Sequence, residues 1–189
     1  LTGVGVVARL SLALGRVAQH AALDPLTGLL NRRGVVDTFA RQEASATEPV
    51  AVLFIDLDGF KRINDEHGHH VGDEVLVAVA QRLRSTVRQH DLAARLGGDE
   101  FALVLRALPA DDPQGAMTEV ADRVVTAFTE PIDVSVGSVT VSVSVGASLY
   151  DPDDAPVDAL FENADRAMYD AKRRGKAQFV VAPWPTSTS

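Results

Sequence analysis

The sequence predicts an α/β fold of the α+β type, in which helices cover a mostly antiparallel central sheet. Strand-like and helix-like segments alternate along the chain, and two of the strand-like runs, 49–58 and 132–150, are long. Apolar residues make up 46% of the 189 positions, which is enough for one buried core. The length suits one domain with short extensions.

The first half of the chain predicts helix, strand, helix and helix. Turn residues in DPLTGLLNRRG (24–34) precede a helix expected to reach about Ala44. The run PVAVLFIDLD (49–58) is almost continuously apolar, which is typical of a strand buried on both faces. A short helix is expected around FKRINDEHG (60–68). A longer one is expected over about 72–89, where apolar residues recur every three or four positions.

The second half predicts a β-hairpin, further strands and two more helices. Two strand-like runs flank a Gly-Gly turn in LAARLGGDEFALVLR (92–106), which is a hairpin pattern. A helix is expected over about 114–129. Residues 132–150 alternate Val with Ser, the period of two expected of strands, and a turn is expected at Gly137. A helix over about 156–173 and a last strand, AQFVV, complete the domain.

Charge and cysteine content exclude several classes of function. The chain carries 18 Lys and Arg against 26 Asp and Glu, a net charge of −8. This argues against a general nucleic-acid-binding surface, which requires a basic face. It is compatible with one nucleotide held in a local basic pocket with a metal ion. The chain has no cysteine, so disulfides and thiol catalysis are excluded, and a reducing cytoplasmic location is expected.

We expect three parts: an N-terminal helix or stalk (1–23), a domain (24–182) and a tail or linker (183–189). The N-terminal segment carries a heptad pattern at Val7, Leu10, Leu14, Val17 and Ala21. Three interpretations of this segment stay open. The first is a helix packed on its own domain, the second is a dimerising stalk from an upstream sensor domain, and the third is the end of a helix that anchors the full-length protein in a membrane.

Acidic residues are expected to converge at one edge of the sheet. Asp99 and Glu100 lie at the hairpin tip in RLGGDEF, and Asp56 lies near the end of the first buried strand. If the two strands are neighbours, these carboxylates repel one another unless a cation lies between them. Mg²⁺ is held in this way, by carboxylates and substrate phosphates. The alternative is a hairpin turn with solvated acidic side chains.

Four motifs occur in the order and spacing of the GGDEF diguanylate cyclases: DPLTGLLNRR, FIDLDGFKRINDEHGHHVGDEVL, RLGGDEF and ADRAMYDAKRRGK. The chain resembles that family from about Asp24 to Val181. The resemblance implies a fold similar to the palm of class III nucleotidyl cyclases and polymerases. It also implies condensation of two GTP molecules into cyclic di-GMP, with release of two pyrophosphates, by a homodimer.

The resemblance implies a metal site and a group that handles the proton. Asp56, Asp99 and the backbone carbonyl of Leu57 are the implied ligands of Mg²⁺, or alternatively of Mn²⁺. The metal would neutralise charge at the reacting phosphate. Asp99 or Glu100 would help to deprotonate the attacking 3′-hydroxyl, and the choice between them stays open.

The resemblance also implies a set of phosphate-binding groups. Lys61 and the main-chain N–H groups around Phe60 would stabilise the leaving pyrophosphate. Lys172 and Lys176 lie four residues apart, and we expect both on one helix face within reach of phosphates. For Lys176 the alternative is a basic residue that only complements a helix C-terminus. The family usually has Asn where this chain has Ala177, a departure expected to loosen the last turn.

Asn64 and Asp73 resemble the family's guanine-binding residues. A carboxylate accepts both N1–H and the N2 amine of guanine, a pair that adenine lacks, so Asp73 favours GTP over ATP. The alternative for Asp73 is a helix N-cap. His69 is expected near the ribose. A zinc site at His67, His69 and His70 is disfavoured, because the spacing fits no zinc signature.

Arg88 and Asp91 form R-x-x-D at the position of the family's inhibitory site. Arg binds guanine O6 and N7 or phosphate, so this pair is expected to bind cyclic di-GMP and mediate product inhibition. The alternative is an exposed ion pair at a helix end, worth under about 1 kcal/mol. For the whole protein, the alternative to a cyclase is a non-catalytic module that binds GTP or cyclic di-GMP and regulates a larger signalling protein.

Overall fold

The computed structural model describes residues 22–43, 48–150 and 157–183. The heptad positions 7–21 and most of the C-terminal tail lie outside the described residues. The described elements are β1 (Leu30–Asn31), α1 (Arg32–Glu43), β2 (Val50–Asp58), α2 (Phe60–His67), α3 (His69–Thr86), β3 (Leu92–Gly97), β4 (Glu100–Leu105), α4 (Pro113–Ala127), β5 (Ile132–Val134), β6 (Gly137–Val139), β7 (Ser142–Tyr150), α5 (Val157–Arg173) and β8 (Gln178–Val181).

The main sheet has six strands in the order β1-β3-β4-β2-β7-β8. The three inner junctions are antiparallel, and the two outer ones, β1 with β3 and β7 with β8, are parallel. Strands β5 and β6 form a separate two-stranded sheet. The predicted α/β fold with a mostly antiparallel sheet is therefore confirmed.

Strand β2 lies at the centre and is covered on both faces, which explains its apolar sequence. Its odd-numbered residues, from Ala51 to Leu57, pack in one cluster with residues of α3 and α4. Its even-numbered residues Val52 and Phe54 pack in a second cluster with residues of α1 and α5. Because side chains alternate along a strand, Asp56 and Asp58 share the face that α5 covers.

Helix α5 packs unusually close to the sheet. A Cβ atom at Gly146 of β7 would collide with the carbonyl oxygen of Ala164 and the amide nitrogen of Met168. Glycine therefore allows the helix backbone to contact the strand backbone. This close packing brings the last turn of α5 to the end of β2. Among the helices that the structure describes, none combines the length and apolarity that a bilayer crossing requires.

One sequence-based helix boundary needs correction. Helix α3 begins at His69 rather than near residue 72, and it ends at Thr86. The reason is that Gly68, with φ 84°, ends α2 and caps the start of α3, so no loop separates the two helices. The turn predicted at Gly137 is confirmed: the chain reverses there, with Gly137 at φ 112°, and residues 132–150 form the three strands β5, β6 and β7.

Candidate active site

The predicted convergence of the carboxylates is confirmed. Strands β2 and β4 are antiparallel neighbours, and their register pairs Asp56 directly with Glu100. The Leu57 N–H donates to the carbonyl oxygen of Asp99 at 3.3 Å. In the turn before Asp99, Gly98 adopts a left-handed φ of 51°, which glycine adopts without steric cost. Three acidic residues therefore meet at one end of the central sheet.

Asp56 is the most buried of these acidic residues and contacts one cation. Its side chain is 11% exposed, and its Oδ2 lies 2.7 Å from the Lys172 Nζ. Burial raises the pKa of Asp56 above its ordinary value, and the negative charges of Asp99 and Asp58 act in the same direction, while Lys172 acts against them. The site thus holds more negative charge than Lys172 neutralises.

The donor set at this end of the sheet fits a hard divalent cation. Asp56 and Asp99 supply carboxylates, and Leu57, the residue after Asp56, supplies a main-chain carbonyl. In the described part of the chain no group of three or more metal-ligating side chains occurs. Mg²⁺ does not need one, because it takes one or two carboxylates and completes its shell with water and phosphate oxygens. The residues present therefore fit Mg²⁺ bound together with a nucleotide.

Phosphate-binding candidates flank the same carboxylates. Phe60 and Lys61 open α2, whose N-cap Gly59 provides no side-chain cap, so the first main-chain N–H groups are available to an anion. Lys172 lies in the last turn of α5. The expectation that Lys172 and Lys176 share a helix face is wrong. Helix α5 ends at Arg173, and Lys176 follows it in a left-handed conformation with φ 66°.

The two candidate guanine-binding residues lie next to each other. A Cβ atom at Gly72 would collide with the Asn64 Oδ1, so the Asn64 side chain rests against α3 one residue before Asp73. Asp73 is exposed in the second turn of α3. The N-cap alternative for Asp73 is wrong, because Gly68 holds that position. His69 begins the same helix and is exposed.

Comparison with known proteins places the chain in a family. Residues 21–178 match the family model described as diguanylate cyclase, GGDEF domain. The chain belongs to the GGDEF family. It is 42% identical over 181 residues to the diguanylate cyclase TpbB of Pseudomonas aeruginosa, an alignment that covers 93% of this chain and 40% of TpbB. It is 43% identical over 173 residues to MucR, a bifunctional diguanylate cyclase/cyclic di-GMP phosphodiesterase of the same species, covering 90% of this chain and 24% of MucR.

Solved GGDEF structures agree with the fold described above. The GGDEF domain of TpbB matches with a TM-score of 0.77 and 42% identity, over 85% of this chain and 94% of that one. The coiled coil and GGDEF domain of DgcB from Caulobacter crescentus, solved in complex with c-di-GMP, matches with a TM-score of 0.80 and 29% identity over 95% of both chains. The chain spans less than half the length of the curated relatives TpbB and MucR.

In this GGDEF domain, the R-x-x-D motif, Arg88 and Asp91, does not form an exposed ion pair. Asp91 is only 5% exposed, and its carboxylate accepts the main-chain N–H groups of Arg88 at 2.9 Å and Arg106 at 3.1 Å. The ion-pair alternative is therefore wrong. Arg88, Arg106 and Arg123 line one shallow depression together with Asp91. The depression is lined by these three arginines and by two acidic residues, Asp91 and Glu119, an excess of positive charge that suits an anionic ligand.

Sequence reasoning missed the network that holds the Gly-Gly turn. The Arg95 guanidinium donates to the Gly98 carbonyl oxygen at 2.9 and 2.8 Å and contacts the Asp24 carboxylate at 3.3 Å. Asp24 also accepts the N–H and hydroxyl of Thr27. Burial acts to raise the pKa of Asp24, but the Thr27 hydrogen bonds and the Arg95 charge outweigh it and hold that pKa below its ordinary value. The DPLTG turn is thus attached to the active-site hairpin.

Sequence reasoning also missed Asp58. Its carboxylate accepts the hydroxyls of Ser142 and Ser144, each at 2.8 Å, and the N–H of Ala177 at 3.1 Å. The sequence feature that could have identified Asp58 is its position two residues after Asp56, which places both carboxylates on one face of β2.

Neutralising Asp56 and neutralising Asp24 should change the stability of the fold in opposite directions, because the pKa values of the two residues shift in opposite directions. Ionised Asp56 costs folding free energy above the ordinary pKa of 3.8, whereas ionised Asp24 stabilises the fold there. Near neutral pH without metal, Asp56→Asn should raise the free energy of unfolding. Asp24→Asn should lower it by about 1–3 kcal/mol. Denaturant unfolding in chelator-containing buffer measures both.

The effect of each substitution should decrease as the pH falls, since the parent carboxyl then becomes neutral as well. For Asp56 the difference from the parent should vanish below 3.8. For Asp24 it should persist until the pH falls through its lowered pKa. A metal-free Asp56→Asn protein that is less stable than the parent near neutral pH would contradict the charge imbalance described here.

Proposed function

We propose that this domain is a diguanylate cyclase, which condenses two GTP molecules into cyclic di-GMP and releases two pyrophosphates. The observation that carries the proposal is the convergence of Asp56, Asp99 and Glu100 beside Lys172, at one end of the sheet of a GGDEF domain. An excess of negative charge at one end of the sheet is the arrangement that metal-assisted phosphoryl transfer requires.

Each candidate side chain then has a defined task. Asn64 and Asp73 bind the guanine edge, and Asp73 discriminates against ATP because its carboxylate would lose both partners. Lys61, Lys172 and Lys176 bind phosphate oxygens and the departing pyrophosphate. Asp56, Asp99 and the Leu57 carbonyl hold Mg²⁺ or Mn²⁺. When bound, the metal supplies positive charge at the reacting phosphate.

The remaining requirement is a group that accepts the proton of the attacking 3′-hydroxyl. Asp99 and Glu100 are the acidic residues at the hairpin tip that serve this role. Glu100 also lies 3.9 Å from the exposed Arg32 guanidinium, a pair weak enough to open when substrate binds.

Two copies of the domain must face each other, because each supplies one GTP. We propose a homodimer controlled by an upstream sensor, with the heptad segment 7–21 as the connecting stalk. The DgcB neighbour, solved as coiled coil plus GGDEF domain with c-di-GMP, supports this arrangement. The need for GTP favours a cytoplasmic location.

Asp99→Ala should abolish synthesis, because the substitution removes an implied metal ligand. The parent incubated with GTP and Mg²⁺ at high protein concentration should form cyclic di-GMP, and the variant should lose roughly a hundredfold or more in rate. Chromatography of the products measures both. Asp122→Ala, the same change at an exposed site on α4, is the matched control and should match the parent. A fully active Asp99→Ala protein would contradict the proposal.

A regulatory binding module is the second candidate. One curated relative, 38% identical over 85% of this chain, is named cyclic di-GMP phosphodiesterase NbdA, so a similar domain occurs in a protein named for another activity. Tight cyclic di-GMP binding without turnover, in a parent protein joined to a dimerising coiled coil, would favour this candidate. Turnover under the same conditions would exclude it.

We further propose that cyclic di-GMP inhibits the enzyme through Arg88. Asp91 is a poor probe, because its buried carboxylate bonds two main-chain N–H groups and its loss would disturb the fold. The Arg88 side chain lines the arginine-containing depression.

Arg88→Ala should therefore weaken inhibition by cyclic di-GMP by roughly tenfold, since it removes charge-assisted hydrogen bonds. Initial rates over a cyclic di-GMP titration measure the inhibition constant. Arg33→Ala removes another exposed arginine, on α1, and should leave inhibition unchanged. Unchanged inhibition in Arg88→Ala would overturn the assignment.

A further inference from the structure

The connection between α5 and β8 has a strained backbone. Three consecutive residues, Gly175, Lys176 and Ala177, have positive φ values of 119°, 66° and 47°. For a residue with a side chain, this left-handed conformation costs about 1–2 kcal/mol. Such strain persists where surrounding groups determine the backbone, and it concentrates at functional sites. The turn carries Lys176, a proposed phosphate-binding lysine, so the groups that hold the turn bear on phosphate binding.

Asp58 of β2 makes a long-range contact to the turn. Its Oδ2 accepts the Ala177 N–H at 3.1 Å, across 119 residues of sequence. The carboxylate is itself oriented by two hydroxyl donors, Ser142 on its Oδ2 and Ser144 on its Oδ1, each at 2.8 Å. Both oxygens of Asp58 therefore have defined partners, and the contact to Ala177 has a defined direction.

The local contacts of the turn do not reach the active-site strand. The Lys176 N–H donates to the Ala171 carbonyl oxygen at 3.1 Å, and the Gln178 Nε2 lies 3.3 Å from the Lys176 carbonyl oxygen. These bonds shape the turn against the end of its own helix. The Asp58 contact, by contrast, fixes the turn relative to β2.

Asp56 and Asp58 together bracket the connection. Lys172, before the turn, contacts Asp56 at 2.7 Å, and Ala177, after the turn, contacts Asp58. Both carboxylates lie on the face of β2 that α5 covers. Lys176 lies between these two attachment points, so its backbone position relative to Asp56 is determined from both sides.

We propose that Asp58 is a positioning residue for phosphate binding: it holds the Gly175–Ala177 turn and thereby sets where Lys176 meets the triphosphate. The proposal rests on the function proposed above, since it requires GTP at this end of the sheet. Asp58 acts through the turn and does not itself touch substrate.

A purely electrostatic role makes the opposite prediction. If Asp58 acted only as a negative charge near the phosphates, its removal would strengthen binding of the triphosphate, and Asp58→Ala and Asp58→Asn would behave alike. The positioning role predicts weaker binding, with Asn less harmful than Ala, because the Asn oxygen still accepts a hydrogen bond from the turn.

The test is calorimetric binding of 3′-deoxy-GTP and of GMP, each with Mg²⁺. The former lacks the attacking hydroxyl, so no turnover interferes. Asp58→Ala should weaken 3′-deoxy-GTP binding by roughly tenfold, with a smaller loss in Asp58→Asn. GMP binding, which lacks the outer phosphates, should change by less than about twofold. Asp122→Ala, the same change at an exposed site on α4, is the matched control and should resemble the parent.

A double-mutant cycle with Lys176→Met identifies the group through which Asp58 acts. In the Lys176→Met background, Asp58→Ala should produce no further loss of 3′-deoxy-GTP affinity. An equal loss in that background, or unchanged or tighter binding in Asp58→Ala, would overturn the positioning role.

Unchanged GMP binding establishes that each variant is folded. If Asp58→Ala does not fold, the comparison uses Asp58→Asn, for which parent-like or tighter binding would also overturn the role. A parent that fails to bind 3′-deoxy-GTP would instead contradict the proposed function.

Discussion

The central strand β2 carries two carboxylates on a face that a helix covers, and the rest of the site depends on this constraint. The apolar residues before Asp56 fix the strand between β4 and β7, in a register that pairs Asp56 with Glu100 on one side and Ser144 on the other. A slip in register by one residue would turn Asp56 and Asp58 towards the apolar cluster under α3 and α4. It would also turn Val52 and Phe54 away from the cluster that they form with α1 and α5. The apolar packing of β2 thus determines where the acidic groups meet.

The same constraint explains why the site is electrostatically unfavourable without a ligand. Asp56 is largely desolvated, and its neighbours Asp58 and Asp99 add negative charge. Asp58 is satisfied by two hydroxyls and a main-chain N–H, whereas Asp56 depends on Lys172. A protein that only needed stability would place an apolar residue at Asp56. The imbalance is understandable where a cation and a polyphosphate bind together.

Local sequence patterns predicted those parts of the fold that depend on residues close together in the chain. The apolar run of β2 and the Gly-Gly hairpin follow from periodicity and turn chemistry, and once these strands are neighbours the meeting of Asp56 with Asp99 and Glu100 follows. The start of α3 was misplaced because Gly68 serves two helices at once. Lys176 was wrongly placed on the helix because the left-handed turn after Arg173 depends on contacts with distant residues. The Arg95–Asp24 and Asp58–Ala177 contacts join positions 71 and 119 residues apart, which no local pattern encodes.

We propose that the end of β2 holds a divalent cation between Asp56 and Asp99 when nucleotide is bound. The most direct measurement is anomalous diffraction from crystals of the protein grown with Mn²⁺ and 3′-deoxy-GTP. The account predicts one strong peak in direct contact with both carboxylates and with nucleotide phosphate, with Lys172 displaced from Asp56 towards a phosphate. A bound nucleotide with Mn²⁺ elsewhere, and Lys172 still paired to Asp56, would contradict it.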